Sequence, residues 1–300
     1  MRNEKTNPEL KPFVKWAGGK GKLVKDIESI LLSAKEKPFK KYAEPMVGGG
    51  ALFFDVLSKY HFEQFYISDI NPELINAYTA IKENVEPLIT RLEEMQAAFL
   101  PLGGSGRKQY FYQIRDRFNA TVLNQKTSVE KAACFIFLNK TCFNGLYRVN
   151  RKGLFNVPMG DYKNPAICDA ENLRSIHSAL QNVTIVCGDY TMAKAFIDSR
   201  TFAYFDPPYR PLSETSAFTS YTSDAFDDGQ QIRLAQFIDE INATGAKIVL
   251  SNSDPKNVNP DDNFFDDLYK DYTIHRISAM RSINSAASKR GKIYELLIHN

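Results

Sequence analysis

The sequence predicts an α/β protein with a mainly parallel sheet, and three observations support this. Short apolar runs that end at Gly, Asp or Pro alternate with segments of helical period, the pattern of a parallel sheet covered by helices. Acidic residues or glycines follow several of these runs, where ligands of such sheets gather. The stretch between the second and third runs is largely helical, so we expect an inserted, mainly helical domain.

The apolar runs predict five strands, at residues 41–43, 65–68, 183–187, 202–205 and 247–250. Two later segments, 272–278 and 292–298, are expected to pair as an antiparallel hairpin at one edge of the sheet. Helical spacing is clear in two sets of apolar residues, Leu23, Ile27, Ile30 and Leu31, and Leu234, Phe237, Ile238 and Ile241. Gly245 follows the second set as a C-cap.

The middle of the chain predicts the insertion. A long helical stretch runs from Pro72 to about residue 99, a glycine-rich loop is expected at 101–107, and helical sequence continues to Leu138. The stretch "GGSGRK" is expected to be a mobile part of that loop. We therefore divide the chain into a core, residues 1–75 and 175–300, and an inserted domain, residues 76–174.

Composition excludes several classes of protein. The chain has 300 residues, is 43% hydrophobic and 24% charged, and has no apolar run near the roughly 20 residues of a membrane span. The N-terminus lacks the apolar core of a signal peptide, so we expect a cytoplasmic protein. Four irregularly spaced cysteines and four scattered histidines give no metal-binding pattern, and no metal is expected.

Positive charge is concentrated locally, although the net charge is only +3. Residues 139–163 contain five cations and one acid, a net of +4, and residues 276–292 contain five cations and no acid. Such stripes suit a polyanion, while a solvated basic face is the more frequent explanation of either one alone.

A glycine turn, "AEPMVGGGALFFDVL", follows the first strand and opens a helix. The N–H groups around Gly48 and Gly50 can approach a ligand closely there. Asp69 ends the next strand, 21 residues after Gly48, where an acid accepts hydrogen bonds from ribose hydroxyls. Phe53 occupies the place of the third glycine of a dinucleotide site, so the pair indicates a nucleoside-type cofactor. "KWAGGKGKL" likewise lacks the spacing of an ATP-binding loop.

The tripeptide "GDY" occurs twice, but only Asp189 follows an apolar strand. Asp189 is therefore the candidate ligand-binding residue, and Asp161 is not. Asp206 also ends a strand, so we expect the glycine turn, Asp69, Asp189 and Asp206 to converge on one edge of the sheet.

The motif "DPPY", Asp206, Pro207, Pro208 and Tyr209, combines acceptors with an aromatic ring. Its two prolines have no N–H, so the Asp206 carboxylate and nearby carbonyls can accept hydrogen bonds without a competing donor. An exocyclic amine of a nucleobase fits such a site, with Tyr209 stacked on the base at about 1–3 kcal/mol. Taken alone, the motif is explained as well by a proline turn with an aspartate cap.

Six segments in order, "VKWAGGK", "AEPMVGGGALFF", "SDINPELI", "LNKTCFNGLYRVNRKGLFNVP", "CGDY" and "FDPPY", cover nearly the whole chain. Together they resemble the Dam family of N6-adenine DNA methyltransferases, the D12 class with α-type motif order. The resemblance implies a Rossmann-like S-adenosylmethionine-dependent core with an inserted DNA-recognition domain. It also implies a monomer that methylates adenine in double-stranded DNA, within a GATC-type site.

The resemblance also implies residue roles. Trp16 and Lys20 would enclose S-adenosylmethionine, Glu44, Pro45, Gly48 and Gly50 would line it, Asp69 would hold the ribose and Asp189 would lie near the adenosine ring. Asp206 to Tyr209 would receive the target adenine and face the cofactor. In the recognition segment, residues 139–163, DNA contacts are implied for Asn139, Lys140, Phe143, Asn144, Leu146, Arg148 and Arg151.

Two other classes of function stay open at this point. The same cofactor site could serve cytosine N4 or RNA adenine, because each amine presents the same hydrogen-bonding demand to "DPPY". A catalytically inactive DNA-binding relative is the third possibility, against which the intact Asp206 to Tyr209 tetrad argues.

Overall fold

The computed structural model describes residues 9–16, 23–33, 39–123, 128–210, 226–280 and 292–300. The strands in these ranges are β1 (Lys41–Pro45), β2 (Gln64–Asp69), β3 (Val183–Cys187), β4 (Thr201–Phe205), β5 (Lys247–Ser253), β6 (Thr273–Met280) and β7 (Lys292–His299). They form one sheet in the order β3-β2-β1-β4-β5-β7-β6. Strands β1 to β5 are parallel, and β7 is antiparallel to both β5 and β6. The predicted α/β class with a mainly parallel sheet and the predicted terminal hairpin are confirmed.

The described helices are α1 (Val24–Ser33), α2 (Ala51–Lys59), α3 (Pro72–Glu83), α4 (Val85–Phe99), α5 (Gly104–Leu123), α6 (Val129–Thr141), α7 (Ala170–Leu180), α8 (Asp228–Asn242) and α9 (Phe264–Leu268). Asn71 caps α3 by accepting hydrogen bonds from the N–H groups of Glu73 and Leu74, with Pro72 at the first helical position, where proline's missing donor costs nothing.

The sheet is covered on both faces because its central strands alternate apolar side chains between two cores. Tyr42 and Phe202 point into the core that holds the apolar residues of α1, α2 and α3. Ala43 and Ala203 point into the opposite core, with those of α8 and α9. Period-2 alternation with both faces buried is expected for the inner strands of a doubly covered sheet.

Five helices, α3 to α7, lie between β2 and β3 in the chain. The predicted helical stretch from Pro72 is broken at Asn84, whose backbone is not helical. The expected loop at 101–107 is wrong in part, because α5 already begins at Gly104. Arg107 compensates for the low helical propensity of the glycines by donating to the carbonyls of Leu100, Tyr162 and Lys163. The boundaries at 75/76 and 174/175 fall inside α3 and α7, and the division into domains stays a prediction.

Candidate active site at the carboxyl edge of the sheet

The carboxyl ends of four adjacent parallel strands bring the predicted site together. Strands β3, β2, β1 and β4 are neighbours, so Asp189, Asp69, the glycine turn and Asp206 follow strand ends on one edge. The chain runs outward from β1 through β2 to β3, and in the other direction from β4 to β5. Ligands of open α/β sheets bind at such a reversal point, here between β1 and β4.

The turn after β1 has an unusual backbone. Met46 has a φ of 91°, and Gly48 and Gly50 have φ values of 52° and 72°. The N–H groups of Met46 and Val47 both donate to the carbonyl of Ser68, which ties the turn to β2. A positive φ is strained for methionine, and such strain is concentrated at functional sites.

Asp69 holds this turn at the end of β2. The N–H of Gly48 donates to its Oδ2 at 3.0 Å and the N–H of Asn71 to its Oδ1 at 2.9 Å. Burial raises the pKa of Asp69, although both of these hydrogen bonds act to lower it. Each carboxylate oxygen has two lone pairs, so Asp69 can still accept a hydrogen bond from a ligand hydroxyl.

Trp16 lies directly against the glycine turn. A methyl group placed on Gly48 would lie 3.0 Å from Trp16 Nε1, and one placed on Gly49 would lie 2.6 Å from Trp16 Cβ. The indole is also stacked on Tyr147, with ring centroids 5.9 Å apart. Lys20, the other predicted residue of this motif, lies outside the described residues.

Asp189 follows β3 and is bound by one cationic and one neutral residue. Arg233 donates to its two oxygens at 3.0 and 3.1 Å, and Thr191 donates through its N–H and hydroxyl. Burial acts to raise the pKa of Asp189, but the hydrogen bonds from Arg233 and Thr191 outweigh it and hold the pKa below its usual value. Asp189 is thus a fixed anion at the sheet edge.

Asp206 is oriented by a relay from β5. Ser251 Oγ donates to Asp206 Oδ1 at 3.0 Å and lies 2.8 Å from the hydroxyl of Tyr204. Gln231 donates to the Pro208 carbonyl at 3.1 Å, and Asn252 donates to Gln231. Since Gln231, Ser251 and Asn252 are fully buried, the hydrogen bonds that hold the tetrad come from the interior of the protein.

Tyr209 closes the tetrad. Its hydroxyl donates to Glu295 of β7 at 2.9 Å, and the pKa of the phenol is raised by burial and by the nearby Asp206 and Glu295 carboxylates. The ring therefore stays neutral and is held in one orientation.

The recognition segment forms a small hairpin beside this edge. Asn156 N–H donates to the Arg148 carbonyl and Asn150 N–H to the Leu154 carbonyl, so Arg151 and Lys152 lie exposed at the tip. Arg148 is exposed, and its Nε donates to Asn156 Oδ1 at 2.8 Å. Before the hairpin, Phe143 is 51% exposed and Asn144 has a φ of 54°.

Two residues of this segment lie deeper than a DNA-contacting residue is expected to lie. Asn139 is 2% exposed, and its amide is bonded to the backbone of Lys15 and Gly145. Lys140 is half-buried, and burial, followed by the charge of Lys15, lowers its pKa. In this conformation Asn139 holds the protein backbone and does not present its amide at the surface.

Comparison with known proteins agrees with this geometry. The family model described as D12 class N6 adenine-specific DNA methyltransferase matches residues 16–283. The chain belongs to this family.

The family's relatives align with the enzyme over nearly their whole length. The chain is 49% identical to Type II methyltransferase M.MjaIII of Methanocaldococcus jannaschii, covering 97% of this chain and 99% of the relative. It is 38% identical to Type II methyltransferase M1.LlaDCHI of Lactococcus lactis, over 99% and 98%. It is 34% identical to a DNA adenine methylase of Vibrio cholerae, over 95% and 94%. The enzyme is accordingly an adenine-specific DNA methyltransferase.

Two exposed apolar residues at the carboxyl edge of the sheet were not predicted from the sequence. Ile70 directly follows Asp69 and is 62% exposed, and Met192 is 54% exposed. Met192 lies over Gly188, where an added methyl would be 2.2 Å from its sulfur, and Gly188 N–H donates to the Asp69 carbonyl. Ile70 could have been predicted as a ligand-contacting residue from the sequence, because it is an apolar residue directly after the acid that ends a strand.

The described part of the enzyme lacks both a candidate metal site and a candidate membrane span. No group of three or more His, Cys, Asp or Glu side chains in these ranges is arranged to hold a metal ion. None of the helices in the same ranges combines the length and apolar character needed to cross a bilayer.

Glu44 of the enzyme gives a prediction about pH. This side chain is buried at the end of β1 and accepts a 2.5 Å hydrogen bond from Tyr42. Its pKa is raised from 4.5 to about 8, mainly by burial; the Tyr42 hydrogen bond opposes this shift, and the nearby Asp206 carboxylate adds to it. The folded state therefore binds a proton that the unfolded chain releases above about pH 4.5.

This proton makes the free energy of unfolding fall as pH rises between 4.5 and about 8, by up to about 1.4 kcal/mol per pH unit. The contribution is largest below pH 4.5 and is lost at about pH 8. Glu44→Gln should remove this slope, which urea unfolding of both proteins at several pH values measures. Parallel pH profiles for the two proteins would show that Glu44 is ionised in the fold.

Proposed function

We propose that the enzyme transfers a methyl group from S-adenosylmethionine to the N6 amine of adenine in double-stranded DNA, within GATC. The observation that carries the proposal is the Asp206 carboxylate, held by Ser251 at the reversal point of the sheet. Asp206 lies in a proline-containing turn after β4, and β4 is the neighbour of β1, the strand that the glycine turn follows. This arrangement offers acceptors for an amine beside a site for a nucleoside.

The residues at the sheet edge fit S-adenosylmethionine. Asp69 keeps lone pairs for the ribose hydroxyls, and the exposed Ile70 and Met192 offer apolar surface to the adenine ring. In the proposal Asp189 lies near that ring. The methionine portion would be surrounded by Trp16, Lys20, Glu44, Pro45, Gly48 and Gly50. Trp16 packs so closely against this turn that no residue larger than glycine fits at position 49.

The target adenine must leave the duplex, because its N6 atom cannot be reached within the stack. Extrusion costs a few kcal/mol. Phe143 is apolar, half-exposed and at the start of a tight turn, which suits a side chain that occupies the opened stack. Tyr209, fixed by Glu295, would stack on the extruded base for about 1–3 kcal/mol.

Asp206 acts by accepting a hydrogen bond from the amine. Since Gln231 already donates to the Pro208 carbonyl, we assign the second hydrogen to the Pro207 carbonyl. Two accepted hydrogen bonds localise the nitrogen lone pair, which is otherwise delocalised into the ring. S-adenosylmethionine supplies an electrophilic methyl group on a sulfonium, and the fixed tetrad aligns the amine for direct displacement. In this displacement the nitrogen–methyl bond forms as the sulfur–methyl bond breaks, and the methylated nitrogen releases one proton to water.

DNA contacts in the proposal divide into two kinds. Arg148 reads guanine through a bidentate contact, and Leu146 touches a thymine methyl. Lys140, Asn144, Arg151 and Lys152 contact the backbone, which adds affinity and salt dependence without sequence information. Asn139 supports these contacts from inside the protein. The proposed enzyme acts as a monomer in the cytoplasm.

One assay tests the proposal. The purified protein is incubated with methyl-labelled S-adenosylmethionine and unmethylated duplexes that contain or lack GATC, and the digested nucleosides are identified. We expect N6-methyladenine from the GATC duplex alone. Label in N4-methylcytosine, in RNA alone, or in duplexes without GATC would contradict the corresponding part of the proposal, and tight DNA binding without transfer would indicate an inactive relative.

Arg148 gives a prediction about sequence choice. Arg148→Ala should lose about 1–3 kcal/mol of discrimination at one base pair, because alanine lacks the guanidinium fork that makes the bidentate contact. Arg151→Ala is the matched control: we expect weaker binding to all sequences and a shallower salt dependence, by about one unit of slope. Binding to GATC and singly substituted duplexes, measured over a range of salt, distinguishes them. Unchanged discrimination in Arg148→Ala would remove Arg148 from base readout.

A further inference from the structure

Asn139 connects two segments that the proposed function assigns to different ligands. Its Oδ1 accepts from Lys15 N–H at 2.7 Å, and its Nδ2 donates to the Lys15 carbonyl at 2.7 Å. The same Nδ2 donates to the Gly145 carbonyl at 2.9 Å. One buried amide thus holds three backbone groups, two of them 124 residues away in sequence.

The two segments also touch sterically at this point. Gly145 has a φ of 63°, and a methyl group added to it would lie 2.4 Å from Lys15 Cβ. Gly145 ends the short turn, Phe143–Gly145, that presents Phe143 and Asn144 to solvent. A shift of this turn must therefore move Lys15 or break the Asn139 hydrogen bonds.

Lys15 is followed by Trp16, which lies between the two sites. One side of Trp16 contacts the glycine turn at Gly48 and Gly49, and its ring is stacked at 21° on Tyr147 of the recognition segment. Packed interfaces of this kind shift between discrete arrangements and do not deform continuously.

We propose that Asn139 is a positioning residue that couples DNA binding at the Phe143–Gly145 turn to cofactor binding at Trp16. The inference rests on the proposed function, which gives those two segments their ligands. DNA bound to the turn holds the Gly145 carbonyl in place and through it the Asn139 amide, and that amide holds Lys15, and with it Trp16, against the glycine turn. Coupling between two sites is reciprocal, so the cofactor also strengthens DNA binding.

Asn119 provides a matched control. Its amide exchanges the same pair of hydrogen bonds with the backbone of Phe155, at 2.9 and 3.1 Å. It therefore supports the recognition segment through α5, but the structure gives it no bond to Lys15. Asn119→Ala should weaken DNA binding and leave the coupling intact.

The experiment measures the dissociation constant of S-adenosylhomocysteine, which cannot transfer a methyl group, with and without a saturating GATC duplex. The ratio of the two constants is the coupling factor. We expect about 5–150-fold for the wild type, a similar factor for Asn119→Ala, and a factor close to one for Asn139→Ala. Asn139→Asp, which keeps the acceptor for Lys15 N–H and loses both donors, is used if the alanine variant does not fold.

The single tryptophan gives an independent readout, because Trp16 is the only one in the chain. Duplex DNA alone should shift Trp16 emission in the wild type and in Asn119→Ala, and not in the Asn139 variants. Coupling and emission shift that persist in those variants would overturn the inference, as would a wild-type coupling factor of one. Failure of the wild type to bind S-adenosylhomocysteine or DNA at all would instead contradict the proposed function.

Discussion

Asp206→Ala is expected to lower methyl transfer by about 10²–10³-fold, the range for removing one hydrogen-bonding group that stabilises a transition state, while the protein stays folded. The carboxylate is the acidic acceptor of the tetrad, and Ser251 donates to its Oδ1 at 3.0 Å. Without it, the amine hydrogens of adenine are accepted incompletely and the nitrogen lone pair stays in the ring. Single-turnover transfer at saturating DNA and cofactor measures the chemical step directly.

Two further variants separate this effect from a general loss of structure. Asp116→Ala removes an acid of α5 whose side chain is 75% exposed, and transfer should stay unchanged. Ser251→Ala removes the hydroxyl that donates to Asp206 and that also bonds the Tyr204 hydroxyl, so we expect a loss of about tenfold, equivalent to one hydrogen bond to Asp206. An Asp206→Ala enzyme with a nearly normal single-turnover rate would contradict the assigned function of the carboxylate.

Gly49→Ala is expected to weaken cofactor binding at least about tenfold, or 1.4 kcal/mol. The added methyl would lie 2.6 Å from Trp16 Cβ and 3.4 Å from Cγ. These atoms are not the flexible end of a side chain, and the indole is already stacked on Tyr147. The turn or Trp16 must therefore move, and overpacking of this kind lowers the free energy of unfolding by about 1–3 kcal/mol.

Gly103→Ala is the control for this substitution. Among the described residues, no atom beyond the chain neighbours of Gly103 lies within 4 Å of a methyl group placed on it, so both the cofactor affinity and, within about 0.5 kcal/mol, the free energy of unfolding should be kept. Calorimetric titration with S-adenosylhomocysteine gives the affinity, and Trp16 emission reports whether the indole has moved. Equal affinities in the two variants would show that the glycine turn does not limit the cofactor site.

Much of the sheet was predictable because its signals are local. Apolar runs and the residues that follow them placed β1 to β5 and the β6–β7 hairpin within a few residues. The convergence of Asp69, Asp189 and Asp206 then followed, since parallel strands end at the same edge. Gly104 was misassigned to a loop because Arg107, which stabilises the helix there, bonds to carbonyls that include Tyr162, 55 residues away.

The hydrogen-bond partners of the site residues were not predictable, because they lie far from those residues in the sequence. Asp189 is bound by Arg233, 44 residues away, and Asp206 by Ser251, 45 residues away. No periodicity or spacing links such pairs. Asn139 looked like a surface residue of a basic segment, and only its burial against Lys15 indicates an internal function.

The sequence by itself determined the strands, the acids and glycines at their ends, and the acceptor-rich tetrad, because each is set by residues adjacent in the chain. The tertiary structure decided which side chains face a ligand and which hold the backbone. Asp69 and Asp189 have the same chemistry, yet one is bonded to backbone N–H groups and the other to a guanidinium. That difference arises from packing between distant segments, which fixes burial and hydrogen-bond partners only when the chain is folded.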